Sequence, residues 1–206
     1  MCKVSCYINQ NKIILTSSRD IPSTRIHSLP PKTLYINNKV IVAPIDPKGK
    51  GTWIGLEKNK IICLLNHSGK DEPSHSRGKL VLKLLSEEIK INDLHKKVIC
   101  FNSFKLIYLD IKLKNHKEYL WDGKELQINN INSELNIWLS NTIYNNKESE
   151  VITKSFKEIH KNNVNKNNLL NFHENNILNK KSLTTTSITQ IYHESHPDIT
   201  YNDLIN

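Results

Sequence analysis

An α+β fold is the class this sequence predicts, and three observations predict it. Short apolar runs with a two-residue alternation come in consecutive groups, which marks strands. Polar turns at 9–12, 37–39, 57–59 and 122–123 join neighbouring runs, so the strands pair mainly antiparallel. Helical spacing appears in only a few stretches, set apart from the strand runs. The 206 residues are enough for a sizeable core. No composition shift marks a boundary, so one domain, 1–206, is expected.

The elements follow in order. Cys2, Val4, Cys6 and Ile8 alternate with Lys3, Ser5, Tyr7 and Asn9, a strand period. Asn9 to Lys12 turn the chain into Ile13-Ile14-Leu15. Pro22 ends this second strand, because proline cannot continue a ladder. Residues 21–33 hold Pro22, Pro30 and Pro31 and read as an ordered loop. Leu34–Ile36 and Val40–Val42 form a second hairpin, and Thr52–Leu56 and Lys60–Leu65 a third. Ile61 to Leu65 is apolar on both faces, as in a covered central strand. Leu80 with Leu84 and Val81 with Leu85 give helical pairs within 79–90. Strands are expected over 98–109, on either side of Asp122-Gly123, and over 136–144. Helices are expected over 147–160 and, weakly, within 161–180. A late β-branched strand covers 183–192, before a polar tail or edge segment.

The chain is 37% apolar and 24% charged, with a formal charge of +9. The positive charge is mostly Lys, spread along the chain and accompanied by abundant Asn and Ile. AT-rich coding accounts for that combination, and no basic stripe interleaved with aromatics is present. A nucleic-acid partner is therefore not expected. A weak attraction for anionic ligands or membrane surfaces remains open. Cys2, Cys6, Cys63 and Cys100 show no metal or redox spacing. Reduced thiols in a reducing compartment, the cytoplasm, are expected. His67, His75, His173, His193 and His196 fit no known metal cage, so no metal and no cofactor is expected, with haem ligation by one of these histidines as the lesser alternative. No apolar run approaches the ~18 residues of a membrane span, and no signal peptide is read.

The chemistry-bearing stretch is the first hairpin. Removal of Met1 would leave Cys2 with a thiol and a free α-amine on one carbon skeleton. That amine titrates at about 7.7–8.0 and is partly neutral near pH 7, so it can act as base for its own side chain. If Ile8 pairs with Ile13, paired positions sum to 21 and Cys2 lies opposite Arg19. Opposed Cβ atoms stand about 4.5–5.5 Å apart, and a cation there favours the thiolate. A buried structural thiol, as Cys6 reads, is the other reading of Cys2.

The ordered motifs Met1-Cys2, Ser18-Arg19-Asp20-Ile21, Lys50-Gly51-Thr52-Trp53-Ile54-Gly55, Leu64-Leu65-Asn66 and Ser76-Arg77-Gly78 resemble those of the NRDE family. That family is also called the transport and Golgi organisation protein 2 family. The segments 137–144, Phe172-His173 and 184–190 are similar to its bacterial branch. The resemblance implies an N-terminal-nucleophile hydrolase-like αββα sandwich of two mainly antiparallel sheets. It implies that Cys2 attacks an acyl carbon, that Arg19 and Asp20 orient or polarise it, and that Asn66, with Asn141 as a second donor, faces the oxyanion. Arg25, Trp53, His67 and Arg77 are the expected substrate-binding residues. The implied function is hydrolysis or acyl transfer on a small amide or acyl substrate. The alternative is a non-catalytic carrier of haem, acyl-CoA or another apolar anion. Ser18 and Ile21 depart from the family's Asn and Glu, and Lys50 from its first Gly.

Overall fold

A computed structural model describes residues 3–69, 75–161, 164–180 and 182–205. Two mainly antiparallel sheets with few helices make the fold α+β. The chain divides into two compact units, residues 1–25 with 133–206 and residues 26–132.

The first unit carries one sheet. Its strands are β1 (Lys3–Ile8), β2 (Ile13–Pro22), β10 (Leu135–Leu139), β11 (Asn179–Lys180), β12 (Leu183–His193) and β13 (Pro197–Asp203). The order is β10-β1-β2-β12-β11, and β13 also pairs with β12. The first two strands and the last three therefore share one sheet, where β2 pairs with β12. Helices α2 (Asn146–Ile159) and α3 (Lys166–Glu174) pack on it. Phe156, Leu169 and Phe172 meet Ile14 of β2 in their core. Asn145 starts α2 with a capping box closed by Glu148, which satisfies orphan backbone donors at both positions.

The second unit holds β3 (Leu29–Ile36), β4 (Lys39–Ile45), β5 (Ile54–Glu57), β6 (Lys60–Asn66), β7 (Phe104–Asp110), β8 (Asn115–Trp121) and β9 (Leu126–Asn130), paired in that order. Helix α1 (Arg77–Leu85) buries Leu80, Val81, Leu84 and Leu85. They join Ile62, Leu64, Phe104 and Leu106 in one apolar cluster. The β3–β4 turn has Asn37 and Asn38 at φ 50° and 59°, which suits a two-residue hairpin loop.

Some boundaries differ from those expected. Pro30 and Pro31 lie inside β3, not in a loop. β3 is an edge strand whose register shifts between Leu29 and Lys32, and an edge tolerates the missing donors. Residues 98–100 form a 3-10 turn before β7. The strand expected over 136–144 stops at Leu139, and the chain turns from Asn141. The tail adds the edge strand β13.

Candidate functional site

The first hairpin has the register its sequence implies. Ile8 pairs with Ile13 and Lys3 with Ser18, so paired positions sum to 21 as expected. Cys2, the proposed nucleophile, lies outside the described residues. β2 is the central strand between β1 and β12, and from Ile13 to Ile21 every residue is buried. Arg19 and Asp20 are both buried, so they are not the solvated ion pair of a strand end.

Successive strand residues point to opposite faces, so Arg19 and Asp20 serve different surroundings. Asp20 accepts a hydrogen bond from the Thr185 hydroxyl. The Thr185 oxygen in turn accepts from the Leu178 amide at 2.8 Å. Arg19 is paired across the ladder with Ser187, next to a register shift between Thr185 and Ser187. Within that shift, the Thr186 hydroxyl donates to the Arg19 carbonyl at 3.2 Å. A bulge re-aims side chains along its strand, and this one separates the Thr185 contact from the Ser187 pairing.

A polar cluster that sequence reasoning did not assign lies under the same hairpin. His173 of α3 is fully buried. Its Nδ1 lies 2.7 Å from Ser18 Oγ and its Nε2 2.9 Å from Ser5 Oγ. Lys3 is also buried; its Nζ donates to the Asn176 carbonyl at 2.7 Å and sits 5.5 Å from the centre of the Phe172 ring. Burial holds the His173 pKa well below the usual histidine range, and the nearby Lys3 and His160 add to this. The imidazole is therefore neutral, with one donor and one acceptor nitrogen. A sequence signal did exist. Leu169, Phe172 and His173 are spaced i, i+3, i+4 and are the buried residues of α3, so His173 belongs to its core stripe.

In the second unit, four of the expected residues surround the end of β6. Asn66 closes that strand opposite Phe104. The His67 amide donates to the Ser103 carbonyl at 3.2 Å. The same carbonyl accepts from Arg77 Nη1 at 2.9 Å. His67 and Arg77 thus share one anchor. Burial first, and then the charge of Lys105, lowers the His67 pKa. Trp53 is buried, and its carbonyl accepts from the Leu64 amide at 2.8 Å. The motif segments 50–55 and 76–78 also meet: the Thr52 amide donates to the Gly78 carbonyl at 3.1 Å.

The other two expected residues occupy turns. Arg25 is half-buried beyond the end of β2, where its amide donates to the Pro22 carbonyl at 2.9 Å. Asn141 is exposed in the turn after β10, beside a 2.7 Å hydrogen bond between the Ser140 and Thr142 hydroxyls. Among the described residues no three His, Cys, Asp or Glu side chains gather as a metal site. No described helix is long and apolar enough to cross a membrane.

The model of the transport and Golgi organisation 2 family matches residues 1–202. The chain belongs to that family. The search of curated proteins gave no match.

Lys50, in the turn before Gly51, has a φ of 48°. A side chain in this left-handed region is strained by about 1–2 kcal/mol, whereas glycine adopts it freely. Lys50→Gly is expected to keep or raise stability, by up to about 1 kcal/mol after the entropy of the extra glycine. The urea midpoint reads this directly; a clear loss would mean that the Lys50 side chain is itself engaged.

Proposed function

We propose that this chain is an N-terminal cysteine hydrolase or acyl transferase acting on a small amide or acyl substrate. The hairpin register carries the reading. Lys3 pairs with Ser18, and the same series carried one step further would set Cys2 opposite Arg19. With Met1 removed, the α-amine takes the Cys2 thiol proton, and the resulting thiolate attacks the acyl carbon. Collapse of the tetrahedral adduct expels the leaving group, which receives that proton. Water or a second nucleophile then takes the acyl group from the thioester. Arg19 stabilises the thiolate. Asn66, with Asn141, is assigned to the oxyanion, and loss of one such donor lowers turnover by about 10²–10³. Arg25, Trp53, His67 and Arg77 are assigned to substrate binding.

We treat residues 1–206 as one functional domain and assign it to the cytoplasm, a reducing compartment in which thiols persist. A second reading is favoured by Ile21, which is buried and apolar where the family motif has a carboxylate. It makes the chain a non-catalytic carrier of haem, acyl-CoA or another apolar anion.

Intact mass and an activated acyl ester separate the two. The enzyme is expected to lack Met1, to gain one acyl group at Cys2 and to release a burst of leaving group. Cys2→Ala should abolish both the label and the burst. A chain that retains Met1 and stays unlabelled would reject thiol catalysis in favour of the carrier.

A further inference from the structure

Lys3 and Ser18 are the immediate chain neighbours of Cys2 and Arg19. They are also directly paired across the hairpin. Both are held by one short stretch at the end of α3. Asn176 takes the Lys3 ammonium through its carbonyl, and the Phe172 ring lies against the same group. His173 bridges Ser18 on β2 to Ser5 on β1. All these β1 and β2 side chains are at most 1% exposed.

Two features argue that this is more than packing. A strand that begins next to a chain terminus opens at little free-energy cost unless it is tied down. Burying a lysine is also unfavourable without compensation, yet one is placed at the first described residue of β1. The ties fall at the two positions where fraying would separate the proposed reacting groups.

We propose that the end of α3 is a positioning clamp, in which His173 and Lys3 hold the start of β1 against β2 so that the Cys2 thiol stays beside Arg19. This rests on the Cys2 reading above. His173 is a positioning residue here, because it acts through Ser5 and Ser18 rather than on substrate.

Three variants of the full chain test it. His173→Leu keeps bulk and removes both hydrogen bonds. His173→Asn places an amide near Nδ1 and keeps the bond to Ser18. Ser18→Ala removes that bond alone and stands in if His173→Leu does not fold. The readouts are the pH dependence of Cys2 alkylation by iodoacetamide and hydrogen exchange at the Val4 and Ser5 amides. His173→Leu and Ser18→Ala are expected to raise the thiol pKa toward the free value of about 8.5. They should also speed exchange at the start of β1 by about tenfold or more, the consequence of easier local opening. His173→Asn should restore most of the wild-type thiol pKa.

A lower melting temperature with unchanged thiol pKa and unchanged exchange would overturn the clamp. A wild-type chain that keeps Met1, or whose Cys2 titrates as a free thiol, would overturn the catalytic reading instead. Exchange at Val4 and Ser5 then decides separately whether the clamp holds the strand.

Discussion

His173→Ala is expected to destabilise the protein by about 3–5 kcal/mol, the sum of a buried cavity and two orphaned hydroxyls. The imidazole is fully enclosed and is a hydrogen-bond partner of both Ser5 and Ser18. Its protonation state adds a second signature. The ring titrates near 6.5 in the unfolded chain and well below that when folded. Between those two values the unfolded state binds the proton and the folded state does not. Stability from this group is complete above pH 6.5 and falls as the pH drops below it. The slope is at most about 1.4 kcal/mol per pH unit from one site. His67, His116 and His193 are shifted in the same direction, each chiefly by burial, so they steepen the same acid limb. Urea unfolding from pH 7.5 down to pH 5 should show the decline, and His173→Leu should make it shallower. Stability that rises on acidification would contradict the neutral, doubly bonded imidazole.

Gly51→Ala should be nearly as damaging. A Cβ on Gly51 would lie 2.4 Å from the backbone carbon of Gly78 and 2.8 Å from the Lys79 amide nitrogen. Backbone cannot swing aside as a side chain can, so either the 46–51 turn or the start of α1 must shift. Such overpacking typically costs about 1–3 kcal/mol. The Thr52 to Gly78 hydrogen bond is the first contact to go. Because Arg77 lies one residue from Gly78, its bond to the Ser103 carbonyl should also weaken. A lowered melting temperature with faster exchange at the Thr52 amide is the expected result. Wild-type exchange at Thr52 would show that the two segments are not in such close contact.

The local parts of this fold were legible in the sequence. Four hairpins formed near the expected turns, and the register of the first followed from one pairing, Ile8 with Ile13. Hairpin pairing depends on neighbours only a few residues away. The β2–β12 pairing was out of reach, because contacts such as Asp20 to Thr185 span 165 residues and leave no local period. The alternation along β1 was correct, yet its polar side is not a solvated face. Lys3 and Ser5 are buried, because α3 covers them with groups that complete their hydrogen bonds. Thr16 is satisfied similarly by Gln190 at 2.9 Å. Of the expected site residues, Arg19, Asp20 and Trp53 were found buried, while Asn141 lies in an exposed turn. His173 was read only as one of the scattered histidines and as part of a motif, because a histidine in a helix stripe gives the same pattern whether it packs, titrates or bridges.

The sheet that joins both chain ends also sets an order of events during synthesis. Residues 26–132 form a unit continuous in sequence, whereas the other unit needs residues 1–25 together with 133–206. β2 must therefore wait for β12 until some 165 further residues have been made. At about 5–20 residues per second on the ribosome, that interval is roughly ten to thirty seconds. During it β2 has β1 on one side and lacks β12 on the other.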